Sequence, residues 1–207
     1  MPGPPGERRW LRTRALLAAG AVGATGTLTT VAAWTDREQG TATFGASGFE
    51  LESQTEGQEF TSNSVPPGPA MAFGADAMVP GTSVFAYLNL RTTPGTTLGG
   101  TVRLSSTDSE GPLTAFLQYR AVRSETALAP GGCTAAVFTE PTSVYIAGGP
   151  AQWEPTDDDP PAPAVFPIGP ALDDLGLCFE VRIDPATAAG ATGLTGTVTW
   201  GFTGIAP

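Results

Sequence analysis

The stretch Leu177–Ile183, LCFEVRI, sets Cys178, Glu180 and Arg182 in alternation with Phe179, Val181 and Ile183. A period of two with one apolar face is the pattern of a half-buried strand. GTVTW, Gly196–Trp200, repeats the pattern with Val198 between threonines. Working outward, strands are expected at Thr41–Glu52, Ala70–Val79, Ser83–Leu90, Leu98–Ser105, Leu113–Arg123, Val144–Ile146, Leu177–Ile183 and Leu194–Phe202. Pro-Gly, Gly-Gly and Asn/Asp turns separate these runs, and no apolar stripe of period 3.6 follows the N-terminal segment. Short strands with such punctuation predict an all-β chain, a single β-sandwich of jelly-roll or Ig-like type.

One segment breaks the pattern. Residues 147–170 carry Pro150, Pro155, Pro160, Pro161, Pro163, Pro167 and Pro170. Proline lacks the donor that a central strand needs, so this segment is expected as a stiff surface loop. Within it Asp157, Asp158 and Asp159 are the weak metal candidates, and calcium, which takes hard oxygen ligands, is the ion they suit. They are consecutive, without the spacers and turn glycine of a calcium loop, so a solvated charge cluster is the competing reading.

The N-terminus reads as an export signal. Arg8, Arg9, Arg12 and Arg14 precede a run from Ala15 to Ala33 that contains no charge. A positive region, an apolar region and small residues before a polar segment make a secretory signal peptide. The chain is therefore expected to divide into a signal helix over residues 1–32 and a sandwich over 33–207, with cleavage around Ala32 and Ala33. An uncleaved anchor is the competing reading, since about 20 apolar residues can span a bilayer; this run is rich in Ala, Gly and Thr, a weak anchor. The arginines also resemble a twin-arginine signal.

Charge bounds the partners. The chain has 10 basic residues, all arginine, and 20 acidic ones; without residues 1–32 the counts are 6 and 19, net −13. Such a balance repels phosphate, which excludes nucleic acid and anionic membrane surfaces as natural partners. Any membrane contact is expected only through the signal segment before cleavage. With 41 % hydrophobic and only 14 % charged residues, the chain is not a disordered acidic tail.

Cys133 and Cys178 are the only cysteines. In an exported chain an even count points to a disulfide. Closing a loop of this length would contribute about 4 kcal/mol by chain entropy. A reactive or metal-binding pair is the alternative, but the two lack CxxC spacing. The chain also has no histidine, which removes Ser-His-Asp and Cys-His machinery and the HExxH zinc site. There is no lysine for a Schiff base and no Gly-rich phosphate loop. Carboxylate pairs remain, at Asp173-Asp174, Glu50 and Glu52, or Glu56 and Glu59, and in so acidic a chain these are expected as exposed faces. No catalytic residue and no resident cofactor are expected, and the protein is read as non-enzymatic.

The stretch VAAWTDREQGTATFGASGFELES, residues 31–53, resembles the start of proteins exported through SipW-type signal peptidases, the TasA and camelysin group. The matching residues are Ala32, Ala33, Trp34 and Asp36, then Thr43, Phe44, Ala46 or Ser47, Gly48, Phe49 and Leu51. MVPGTSVFAYLNL, residues 78–90, is similar to the family's next feature, a Pro-Gly turn before a strand. LCFEVRI, GTVTWGFTG and the cysteine pair are similar to an actinobacterial-looking branch. The resemblance implies a jelly-roll-like sandwich, a secreted or cell-surface location and a structural role in extracellular matrix fibres or the envelope, through self-assembly or other surface proteins. Trp34, Thr43, Phe44, Phe49 and Leu51 are then the residues of an assembly strand. It also implies two alternatives, a camelysin-like secreted peptidase, for which the usual zinc-binding histidines are missing, and a monomeric adhesion or ligand-binding module.

Overall fold

The structure is a computed structural model that describes residues 48–65, 68–73, 78–160, 164–187 and 190–207. The expected signal helix, its cleavage region at Ala32 and Ala33, and Trp34, Thr43 and Phe44 lie outside the described residues. From Ala46 onward the chain is one compact unit. Its elements are strands β1 (Leu51–Gln54), β2 (Ser83–Thr92), β3 (Gly100–Glu110), β4 (Leu117–Ser124), β5 (Val144–Ala147), β6 (Glu154–Pro155), β7 (Phe166–Ile168), β8 (Asp174–Ile183) and β9 (Thr197–Ile205). Two 3-10 turns, Thr114–Phe116 and Ala135–Phe138, accompany them. Among the described residues no helix is long and apolar enough to cross a membrane.

The strands form two packed antiparallel sheets, a β-sandwich. The larger runs β1-β2-β8-β4-β5, with β6 also pairing β4; the smaller runs β7-β3-β9. LCFEVRI lies in β8 at the centre, with Cys178 opposite Tyr87 of β2 on one side and Val122 of β4 on the other. Its apolar set, Leu175, Leu177, Phe179, Val181 and Ile183, turns inward toward Val102, Leu104, Phe166 and Ile168 of the smaller sheet. Phe179 is fully buried and lies 4.8 Å, ring centre to ring centre, from Trp200 of β9. Burying side chains of this size stabilises by roughly 1.5–3 kcal/mol each.

Four expectations need correction. The half-buried reading of LCFEVRI is too simple, because Cys178 and Glu180 on its polar face are buried as well. Segments on either side of β5, around Leu128–Phe138 and at Trp153, cover that outer face. Second, Ala70–Val79 is not a strand among its described residues; Met71, Phe73 and Met78 pack half-buried against the core from irregular backbone. Third, residues 147–170 are more than a surface loop, since they contain β6 and β7, with Thr156, Phe166 and Ile168 buried. Pro167 is tolerated there because β7 is an edge strand, bonded only to β3. Fourth, the first described strand begins at Leu51 rather than upstream, and residues 41–47 lie outside the described residues.

Candidate functional site

The two sheets do not close on each other at every side. Among the described residues β9 pairs only with β3, so its other edge is open. Its sequence, TVTWGFTGI, has no charge and no proline over 9 residues. Natural edge strands usually carry charge, proline or a bulge that blocks further pairing. Val198, Trp200 and Phe202 of this strand face the core, while Thr197, Thr199 and Thr203 alternate with them.

Beside this edge lies a groove of about 470 Å³, bounded by Phe49, Leu51 and Ser53 on one wall and Trp200, Phe202 and Gly204 on the other. Two glycines shape its end. A Cβ on Gly100 would come within 2.6 Å of the Phe49 ring, and one on Gly204 within 2.5 Å of the same ring and 2.7 Å of Leu51. Their bareness lets Phe49 lie across β3 and β9. Phe49 and Leu51 therefore serve their own sandwich: Leu51 opens β1, opposite Thr92 of β2, and both side chains join the core. The outer edge of β1 is partly occupied, for Ser53 and Thr61 exchange backbone hydrogen bonds of 2.9 and 3.1 Å.

On the outer face of the larger sheet Cys133 and Cys178 form the disulfide, with Cα atoms 5.2 Å apart. It ties the segment around the Ala135–Phe138 turn to β8, beside Tyr87, Val122 and Phe138. Next to it the buried Glu180 accepts from Arg120 Nε at 2.6 Å. Trp153 stacks against two guanidinium groups, with Arg182 3.7 Å and Arg120 4.7 Å from its ring centre. The Asn89 amide donates to Leu128 O at 2.9 Å and accepts from Leu128 N at 2.7 Å, pinning the covering segment to β2. Nothing in the residue pattern of LCFEVRI announces this layer; the alternating Glu180 and Arg182 read as solvent-facing.

The acidic candidates separate. Asp157, Asp158 and Asp159 are exposed. Among the described residues no three His, Cys, Asp or Glu side chains gather as a metal-binding group. Glu52 pairs with Arg91 at 2.7 Å, Asp174 accepts from Ala127 N at 3.0 Å, and Asp173 accepts from Gly169 N. These carboxylates hold loops and strands in place. One shifted group lies in the interior: burial raises the Tyr119 phenol above its ordinary value, against the opposing pull of its hydrogen bond with Thr107 at 3.3 Å. GTVTWGFTG was legible as a strand, and its lack of charge was the signal, not used in the sequence reading, that could have singled out its edge. The chain matches no known protein family and no curated protein.

Proposed function

We propose that the protein is an exported, non-catalytic β-sandwich that works by assembly, with copies of itself or with other surface proteins. The observation that carries this reading is the uncharged edge of β9, unpaired among the described residues, beside a groove lined by Phe49, Leu51, Trp200 and Phe202 together with Glu50, Glu52 and Asn63. Strand addition uses such an edge, with backbone hydrogen bonds for affinity and groove contacts for register. The donor of best fit is residues 34–47 of a second copy, where Thr41–Gly45 is uncharged and Phe44 supplies an anchor for the groove. Export is supported by the arginine-flanked apolar run and by a disulfide of the kind that persists in oxidising compartments.

The test begins with the culture. Mass spectrometry of the supernatant is expected to find a chain beginning at Ala33 or Trp34 with no free thiol. Electron microscopy of that material is expected to show linear assemblies. A chain found only full-length in membranes contradicts export, and monodisperse particles contradict assembly. Cleavage of casein that stops on adding a chelator would favour the peptidase reading instead.

A further inference from the structure

A second opening lies at the end of the sandwich where β2, β4 and β9 begin and β8 ends. It is a cavity of about 710 Å³, larger than the groove beside β9. Val84, Leu117, Val181 and Ile183 of the larger sheet form one wall, and Val198 and Trp200 of β9 the other. Met71, Phe73 and Met78 lie across the end. It is open to solvent on one side, and the described side chains of the two sheets leave room there for a ligand. Its volume falls in the range of about 300–1,000 Å³ typical of small-molecule sites.

The lining restricts what that occupant is. Among the described residues no charged side chain lines the cavity. The interior walls are aliphatic and aromatic; the polar side-chain groups are the hydroxyls of Thr192, Thr195 and Thr197, exposed at the mouth, and the indole N–H of Trp200, which is buried without a hydrogen-bond partner. An ionised headgroup would find no partner here and would have to remain in water. Met71 and Met78 are the chain's only methionines apart from Met1, and both are at this site. Unbranched thioether side chains repack around ligands of varied shape, which suits an extended, flexible guest.

We propose that this cavity binds an uncharged amphiphile, an alkyl chain ending in a neutral hydroxyl or carbonyl head, with the chain between the sheets and the head among the mouth threonines. The site is separate from the β9 edge, and the inference does not depend on assembly.

The probe is N-phenyl-1-naphthylamine, whose fluorescence rises in apolar surroundings, titrated into the full chain. Saturation at one site per chain is expected, with displacement by dodecanol and much weaker displacement by dodecanoate or dodecyltrimethylammonium. Two variants locate it. Val84→Phe narrows the wall, and Met78→Glu places a carboxylate at the half-buried end. Both are expected to weaken probe binding by about 10-fold or more, the second because an apolar ligand would desolvate the new charge. Met78 packs half-buried against the core, so a lower melting temperature is expected, and circular dichroism at the titration temperature establishes that the variant is folded. Absence of saturable binding, equal affinity in a folded Met78→Glu chain, or equal displacement by charged and neutral amphiphiles would each overturn the proposal.

Discussion

On the inner face of β8, Leu175, Leu177, Phe179, Val181 and Ile183 pack side chain to side chain into the hydrophobic core. On the outer face of the same strand, Cys178, Glu180 and Arg182 lie under covering segments held by a disulfide, an amide clamp and a stacked guanidinium group, with an Arg120–Glu180 ion pair between β4 and β8 beneath them. The inner face needs the right volumes; the outer face needs specific partners. A hydrophobic face is tolerant of chemistry and sensitive to cavities, whereas a polar buried layer is sensitive to the loss of any one partner. One strand thus carries both kinds of stability.

Four variants probe that contrast, in falling order of effect. Phe179→Ala removes a fully buried ring from the contacts with Trp200 and Phe202, and the expected loss is about 3–5 kcal/mol by urea denaturation. A loss under ~1 kcal/mol would mean the sheets are not packed as described. Replacing Cys133 and Cys178 together by Ser is expected to cost about 2–4 kcal/mol. The loss should disappear when the parent is measured fully reduced, which separates the bridge from the residues.

Glu180→Gln keeps the shape of the outer layer and removes its charge. Loss of a charge-assisted hydrogen bond to Arg120 is expected to cost about 1.5–3 kcal/mol. A change indistinguishable from zero would place Glu180 in water and undo the two-face distinction. The smallest effect belongs to Tyr119→Phe, about 1 kcal/mol or less for one weak hydrogen bond. Its pH dependence is more informative. The folded phenol keeps its proton at pH values where the unfolded phenol, near its usual value of about 10, has lost it. The group's contribution is therefore whole below pH ~10 and declines as pH rises toward the folded value. Alkaline denaturation should be less steep in Tyr119→Phe; equal slopes would place the ring at the surface.

The contrast between the faces also explains what the residues disclosed in advance. The all-β class followed from alternation in LCFEVRI and GTVTW, because period-two patterns depend only on one buried face. The cover over Glu180 and Arg182 did not follow, since it comes from distant residues such as Cys133, bonded to Cys178 across a sequence separation of 45, and Trp153, stacked on Arg182. Ala70–Val79 misled because apolar residues are needed at the end of a sandwich as much as inside its sheets, and Met71, Phe73 and Met78 do that without strand geometry. The prolines misled in the opposite direction: at Pro167 an edge position removes the cost of the missing donor. For the candidate site, the uncharged run of β9 was visible, but its open edge depends on which strands pair. Phe49 and Leu51, expected in an assembly strand, belong to their own core because Gly100 and Gly204 leave room for them.

The central claim is that residues 34–47 of one molecule pair with the β9 edge of another. Because Phe49 and Leu51 are core residues, a chain beginning at Ser53 would lose part of the sandwich, and the informative comparison is between chains 34–207 and 46–207. Sedimentation velocity over a range of concentrations measures it directly. The account predicts that 34–207 forms assemblies that grow with concentration, while 46–207 sediments as a folded monomer. A monomeric 34–207, or a folded 46–207 that assembles equally well, would contradict it.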